Sequence, residues 1–155
     1  MRFLVFFLVS FAVLGQYTSP VPEKEDLPYI VQADNLIPTE ATTANEEKGK
    51  KDGTIYTVAG AASSSKTPLA SPIFLMKVKD LVPEKLKLYR LEVRNGRREI
   101  TFRSGKKAKN PEPLRVDIKH VREGLVRLEV SDSLPNGQYS FSPDESNAVF
   151  CFEVH

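Results

Sequence analysis

The sequence of 155 residues contains no tryptophan, one cysteine and two histidines. The absence of tryptophan weakens the case for a sugar-binding platform, where flat aromatic side chains usually stack on the sugar. The single cysteine, Cys151, excludes a disulfide bond within the chain, so the fold must depend on its hydrophobic core. Any Ser-His-Asp or Cys-His pair would have to use His120 or His155. We therefore expect no catalytic residues and no metal or cofactor site.

The chain also lacks a large net charge of either sign. The formal net charge is +2 with both signs interspersed, and no run of Lys and Arg is interleaved with aromatic residues, which argues against nucleic-acid binding. One loop, Ser104–Pro113, is locally basic. The candidate partner-binding residues of this basic loop are Arg103, Lys106, Lys107 and Lys109. They predict attraction to an anionic partner; the alternative is that these charges only keep a loop solvated.

Residues 1–15 have the pattern of a secretory signal peptide. Arg2 supplies a positive charge, the following residues are apolar except for one serine, and Val13 and Gly15 are small enough for the cleavage positions. The alternative, a retained membrane anchor, conflicts with the shortness of the run. No later segment is apolar enough to cross a membrane, so we expect a secreted or periplasmic protein with no stable membrane span after cleavage.

The remaining chain divides by composition into a linker and one domain. Residues 16–53 are rich in proline and charge and contain a polar stretch, PTEATTANEEKGKKDG, without apolar periodicity. They predict an extended or disordered linker, with a possible edge strand at residues 29–32. Residues 54–155 have strand composition throughout and are long enough for one domain with a hydrophobic core.

Alternation of apolar and polar residues organises residues 54–155. Asn95-Gly96 predicts a type I′ hairpin turn that sets Arg94 opposite Arg97. A three-residue loop ending at Gly124 would pair Ile118 with Leu128, whereas a two-residue loop would shift that register. About seven to nine short strands and almost no helix predict an all-β fold, an antiparallel immunoglobulin-like β-sandwich.

Two residues of the C-terminal strands, Tyr139 and Cys151, each fit more than one structural role. Tyr139 follows a glycine turn at the start of a strand, a position similar to the tyrosine corner of immunoglobulin-like sandwiches, where the hydroxyl bonds to upstream backbone. It would otherwise be a plain core aromatic. Cys151 has the opposite parity to Phe150 and Phe152 and fits either a small buried hydrophobe, which we favour, or a reactive thiol or dimer bridge.

The segment Gly60–Thr67, GAASSSKT, differs by one residue from the phosphate-binding pattern G-x-x-x-x-G-K-[ST]. Ser65 stands where the second glycine belongs, and two prolines follow in place of a helix. The close approach of backbone to phosphate is therefore lost. We interpret the segment as a serine-rich surface loop.

The segments SKTPLASPIFLMKV, LKLYRLEVRNGRREITF and LPNGQYSFSPDESNAVFCFEV, within Gly60–Val154, resemble uncharacterised secreted bacterial proteins of the kind found in Acidobacteria-like genomes. In those proteins the last segment is similar to L-x-P-G-E-Y-x-F…F-x-F-G-V. This chain departs from it by an extra Asn136, by Gln138 in place of the acidic residue and by Glu153 in place of glycine. The resemblance implies an exported bacterial β-sandwich and carries no known activity.

Together these patterns predict a non-catalytic exported interaction or structural module of the bacterial cell envelope or extracellular space. Binding would use loops at one end of the sandwich, because recognition residues commonly sit on loops held by a rigid scaffold. The alternative is a small secreted hydrolase or lyase on the same scaffold. The missing nucleophile-base pair favours the first.

Overall fold

A computed structural model describes residues 20–155; the predicted signal peptide at residues 1–15 lies outside the described residues. Residues 20–155 form two short 3-10 turns, Lys50–Asp52 and Pro83–Lys85, and thirteen strands. In chain order the strands are β1 (Tyr29–Gln32), β2 (Asn35–Pro38), β3 (Glu40–Thr43), β4 (Asn45–Lys48), β5 (Thr54–Ala59), β6 (Lys66–Thr67), β7 (Ile73–Lys77), β8 (Leu86–Arg94), β9 (Arg97–Phe102), β10 (Val116–Arg122), β11 (Leu125–Val130), β12 (Gly137–Pro143) and β13 (Ala148–Val154).

The strands form two sheets. The five-stranded sheet has the order β10-β11-β7-β1-β2, and the other has the order β3-β13-β12-β8-β9-β5-β4, with β6 beside β13. Within residues 20–155 the named strands pair antiparallel, except that β6 runs parallel to β13. The predicted all-β antiparallel sandwich is confirmed at this level, and its immunoglobulin-like character stays a prediction.

The larger sheet closes on itself. Its two ends, β3 and β4, are consecutive in the chain and only Ala44 separates them. β3 pairs with β13, with Glu40 opposite Cys151, and β4 pairs with β5, with Lys48 opposite Thr54. At the junction the Ala44 amide donates to the carbonyl of Asn147 at 2.8 Å. Residues 40–48 therefore act as one bent strand that joins the two edges, and we call the result the closed sheet.

Closure gives the molecule two apolar interiors. The larger one, the sandwich core, lies between the five-stranded sheet and one wall of the closed sheet and contains Phe74, Phe141 and Phe152. The smaller one lies inside the closed sheet and contains Ala44, Val58, Leu91, Val149 and Cys151. Alternate residues of β12 and β13 face the two interiors, so both strands are buried along most of their length.

The Asn95-Gly96 turn is confirmed, and the turn at Gly124 has the predicted register but a shorter loop. Asn95 and Gly96 have φ of 50° and 72°, as a type I′ turn requires, and Arg94 pairs with Arg97. Gly124 has φ of 70°, and the ladder shifts register between His120 and Arg122. Ile118 pairs with Leu128, as the three-residue alternative predicted, but Arg122 pairs with Leu125, so the loop has two residues, Glu123 and Gly124, and the bulge lies at Val121.

Tyr139 makes the hydrogen bond expected of a tyrosine corner. Its hydroxyl donates to the carbonyl of Pro135 at 2.6 Å, and its side chain is fully buried. The aromatic face of Tyr139 stacks on Phe152 with ring centroids 5.5 Å apart. The residue therefore ties the turn before β12 to the sandwich core.

The structure differs from the sequence prediction in residues 29–48. β1 is a strand as predicted, but it pairs with both β2 and β7 and so is not an edge strand. The segment predicted as a linker contributes β2, β3 and β4, which brings the count in residues 20–155 to thirteen, nine of them in residues 54–155. The polar composition was misleading because β4 is exposed along its whole length and is held by backbone pairing.

Candidate functional site

The basic loop connects β9 to β10, and hydrogen bonds of Arg103, Ser104 and Asn110 hold it in place. The side-chain amide of Asn110 accepts from the Arg103 amide at 2.6 Å and donates to the Arg103 carbonyl at 3.0 Å. The Ser104 hydroxyl donates to the carbonyl of Asp52 at 2.7 Å. Arg103, Lys106, Lys107 and Lys109 are all exposed on this loop.

The structure brings two of these four predicted site residues together. Arg103 and Lys109 line a groove of about 400 Å³ between the basic loop and the outer face of β8 and β9, which we call the basic groove. Arg90 and Arg94 add positive charge there, and Glu92 and Glu99 add negative charge. Lys106 and Lys107 do not line the groove.

The carboxylates of the basic groove are paired with neighbouring arginines. Glu92 pairs with Arg94 at 2.7 Å, and Glu99 pairs with Arg97 at 3.2 Å. Within residues 20–155, Arg103 and Lys109 make no ion pair. The groove therefore offers three cationic side chains, Arg90, Arg103 and Lys109, that make no ion pair among the described residues, which is the arrangement that attracts an anion.

A second site lies inside the closed sheet, at one end. A chamber of about 100 Å³ is enclosed by apolar side chains from β5, β8, β9 and β13. They are Val58, Leu91, Ile100 and Val149, with Ala44 at the strand junction. The chamber opens between Tyr56, Tyr89 and Phe102 into a wider depression of about 380 Å³ at the surface. Its few polar groups come from Ser140, Ser142, Ser146 and Asn147.

The opposite end of the closed sheet is filled by a buried ion pair that the sequence reading missed. Arg98 is 1% exposed, and its guanidinium donates to the two carboxylate oxygens of Glu40 at 2.9 and 2.8 Å. It also donates to the carbonyls of Ala59 and Gly60 at 2.6 and 3.0 Å. Burial alone would raise the pKa of Glu40, but the hydrogen bonds from Arg98, Ser63 and Ser64 and the charge of Arg98 together outweigh it and hold that pKa below its usual value.

The hairpin register contained the signal for this pair. The Asn95-Gly96 turn sets Val93 opposite Arg98, so Arg98 lies on the same face as Leu91. An arginine on the apolar face of a hairpin must find a carboxylate if that face is buried. The partner, Glu40, could not be found because it comes from the segment predicted as a linker.

The segment Gly60–Thr67 uses its donors within the protein. The amide of Ser64 donates to the Glu40 carboxylate at 3.1 Å, and the amide of Ser63 donates to the side chain of Gln138 at 2.9 Å. Ser63 and Ser65 are buried whereas Ala61, Ala62 and Ser64 are exposed, so the predicted surface loop also forms a cover over the Arg98 end of the closed sheet. A phosphate would have to displace the Glu40 carboxylate from the Ser64 amide and the Gln138 side chain from the Ser63 amide.

Of the other candidate residues, Cys151 is inaccessible and His120 lies apart from both sites. Cys151 is fully buried inside the closed sheet, and burial raises the pKa of its thiol to about 11. This environment matches the favoured interpretation as a small buried hydrophobe. His120 is exposed on β10, where its Nε2 lies 3.1 Å from the carboxylate of Glu84.

Residues 20–155 contain no helix long and apolar enough to cross a membrane, and no group of His, Cys, Asp and Glu side chains arranged to hold a metal ion. The fold and the two sites define an all-β sandwich with one closed sheet, a basic groove on its outer face and an apolar chamber within it. No protein-family model, curated protein sequence or solved structure matches this chain.

Proposed function

We propose that this protein is a non-catalytic exported binding module of the bacterial cell envelope or extracellular space, and that its basic groove binds a carboxylate-bearing polymer. The observation that carries the proposal is the pairing pattern in the groove. Glu92 and Glu99 are neutralised by Arg94 and Arg97, whereas Arg103 and Lys109 face the same space with no ion pair among the described residues.

The side chains suit a carboxylate. The guanidinium of Arg103 offers paired N–H donors that match the two oxygens of a carboxylate, and the ammonium of Lys109 adds a second positive charge. The groove is polar and lies on the surface, so a flexible polyanion could lie along it without entering the protein. A rigid base under the loop, formed by Asn110, limits the ordering cost of binding.

The proposal can be tested by titrating the protein against immobilised polygalacturonate, with dextran as the uncharged control. We compare Arg103→Gln/Lys109→Gln with Lys106→Gln/Lys107→Gln, which makes the same change in net charge on the same loop. The first pair should weaken binding by about tenfold or more, because it removes charge-assisted hydrogen bonds. The second pair should reduce affinity much less.

Salt provides an independent check on the same measurement. Raising ionic strength from 0.1 M to 1 M shortens the screening length from about 10 Å to about 3 Å and should abolish most of the binding. Equal losses in both double variants would show that the groove is not the site. Binding that survives 1 M salt would contradict an electrostatic mechanism.

The exported location rests on residues 1–15 and on the resemblance to secreted bacterial proteins. If these residues are a signal peptide, the exported protein should begin near Gln16. N-terminal sequencing of protein recovered from the periplasm or medium of an expressing bacterium measures this. A recovered chain that begins at Met1 would contradict export by cleavage.

A further inference from the structure

We propose that the chamber inside the closed sheet is a binding site for the end of an unbranched aliphatic chain with an uncharged polar head. This site is separate from the basic groove, and it does not depend on the function proposed for that groove. The inference follows from the lining, the volume and the charges of the chamber and its entrance.

The lining is aliphatic where the chamber is deepest. Val58, Leu91, Ile100 and Val149 come from four different strands and converge on one space, with Ala44 leaving room beside them. Water beside these four side chains would find few polar partners, since the polar groups of the chamber are limited to Ser140, Ser142, Ser146 and Asn147. An alkyl group that entered would gain dispersion contacts with all four side chains.

The volume selects the shape of the ligand. The chamber measures about 100 Å³, whereas the engineered apolar cavities known to admit benzene are about 150 Å³. An aromatic ring is therefore too large for the chamber, and a linear chain end is not. The far end offers no exit, because the Arg98–Glu40 ion pair and the cover Gly60–Thr67 occupy it.

The side chains at the entrance of the chamber determine which polar head group the ligand can carry. Tyr56, Tyr89 and Phe102 form an aromatic collar in which Phe102 contacts the two tyrosines edge-on, with ring centroids 6.0 and 5.6 Å apart. Outside the collar, Ser142, Ser146 and Asn147 line the wider depression and supply neutral hydrogen-bonding groups.

The charges at this depression disfavour an anion. Lys87 is the only cationic side chain among those that line it, and it pairs with Asp144 at 2.7 Å. Glu145 adds a further negative charge. A carboxylate head would meet this acidic surface, so a fatty alcohol fits better than a fatty acid of the same length.

Calorimetric titration of the full chain with straight-chain primary alcohols tests the site. From about four to about eight carbons, each added methylene that reaches the chamber should tighten the Kd about fourfold, until the chamber is full and the gain stops. The matching carboxylic acids should bind more weakly, and benzyl alcohol should bind no better than the shortest linear alcohol.

Variants locate the binding. Val58→Phe fills the chamber and should abolish the chain-length dependence, whereas the matched Val121→Phe, at an exposed position on β10, should leave it unchanged. Ile100→Phe fills the same space from a half-buried position and serves if Val58→Phe does not fold, which circular dichroism will show. No chain-length dependence in the wild type, equal binding by Val58→Phe and Val121→Phe variants, or preference for benzyl alcohol would each overturn the proposal.

Discussion

The two interiors of this protein are filled in different ways. The sandwich core is built from large aromatic side chains in direct contact, with Phe74 lying 4.9 Å from Phe141 and 5.0 Å from Phe152 between ring centroids. The interior of the closed sheet uses smaller side chains, such as Ala44, Val58 and Val149, and encloses a chamber at one end and an ion pair at the other. One interior is close-packed, and the other is partly empty and partly polar.

The contrast separates stability from binding. Dense aromatic packing buries large apolar areas and specifies a single arrangement, which is what a scaffold needs. The closed sheet gives up part of that burial, and the space it leaves is available to a ligand. Because β12 and β13 form a wall of both interiors, the packed core also holds the walls of the chamber in place. The four predictions below test this division.

The largest effect should come from breaking the ion pair inside the closed sheet. Glu40→Gln leaves the guanidinium of Arg98, which is 1% exposed, without its counter-charge. We expect a loss of about 3 kcal/mol in the free energy of unfolding, measured by urea denaturation. The matched control is Glu47→Gln, whose partner Arg97 is far more exposed and whose loss should be much smaller. Similar losses in the two variants would contradict a buried role for Arg98.

Alkaline pH should weaken the same interior through Cys151. Burial raises its pKa from 9.0 to about 11, so the folded protein holds the thiol proton more tightly than the unfolded chain. This contribution to stability is complete below pH 9 and is lost as the pH rises through 11. Its size is about 2–3 kcal/mol.

The measurement compares wild type with Cys151→Ala, because tyrosines and lysines titrate in the same range. The unfolding free energy of both proteins is measured at neutral pH and at about pH 10.5. Between these two pH values the stability of the wild type relative to the variant should fall by most of this amount. A difference that stays constant across this range would mean that the thiol reaches solvent in the native state.

Added volume should distinguish the two interiors directly. Phe141→Trp enlarges a side chain in the packed sandwich core, which has no room for it, and should destabilise by about 1–3 kcal/mol. Val58→Ile adds one methylene next to the chamber and should change stability by less than about 0.5 kcal/mol. Thermal unfolding of both variants provides the comparison. Equal destabilisation would show that the chamber wall is as tightly packed as the core.

The smallest expected effect concerns the tyrosine corner. Tyr139→Phe keeps the stacked ring and removes the hydroxyl that donates to the carbonyl of Pro135. A loss of about 1 kcal/mol is expected in chemical denaturation, since one neutral hydrogen bond disappears and the packing stays. A much larger loss would mean that the ring has moved out of the sandwich core.

Local signals in the sequence predicted the parts of the fold that depend on local chemistry. Asn95-Gly96 and Gly124 have backbone conformations that few other residues adopt, so the turn type and the strand register could be derived from them. The bond made by Tyr139 follows in the same way, because its position after a glycine turn limits where its hydroxyl can reach.

The features that were missed depend on pairing between distant segments. Nothing in the composition of Glu40–Lys48 marks it as the strand that joins β13 to β5, because backbone hydrogen bonds hold it and much of it is exposed. Without that strand, neither the closed sheet nor its chamber could be predicted. Of the basic loop, the sequence identified the charges but could not separate Arg103 and Lys109, which line the groove, from Lys106 and Lys107.

The joining strand also has a consequence for the order in which this protein can assemble. Glu40–Thr43 leaves the ribosome long before its partner Ala148–Cys151 has been made, so the seam between them cannot form while the chain is still being synthesised in between. A waiting segment with an apolar stripe would be open to wrong partners in that interval. The threonines and glutamates of this stretch keep it hydrated until the closing partner arrives.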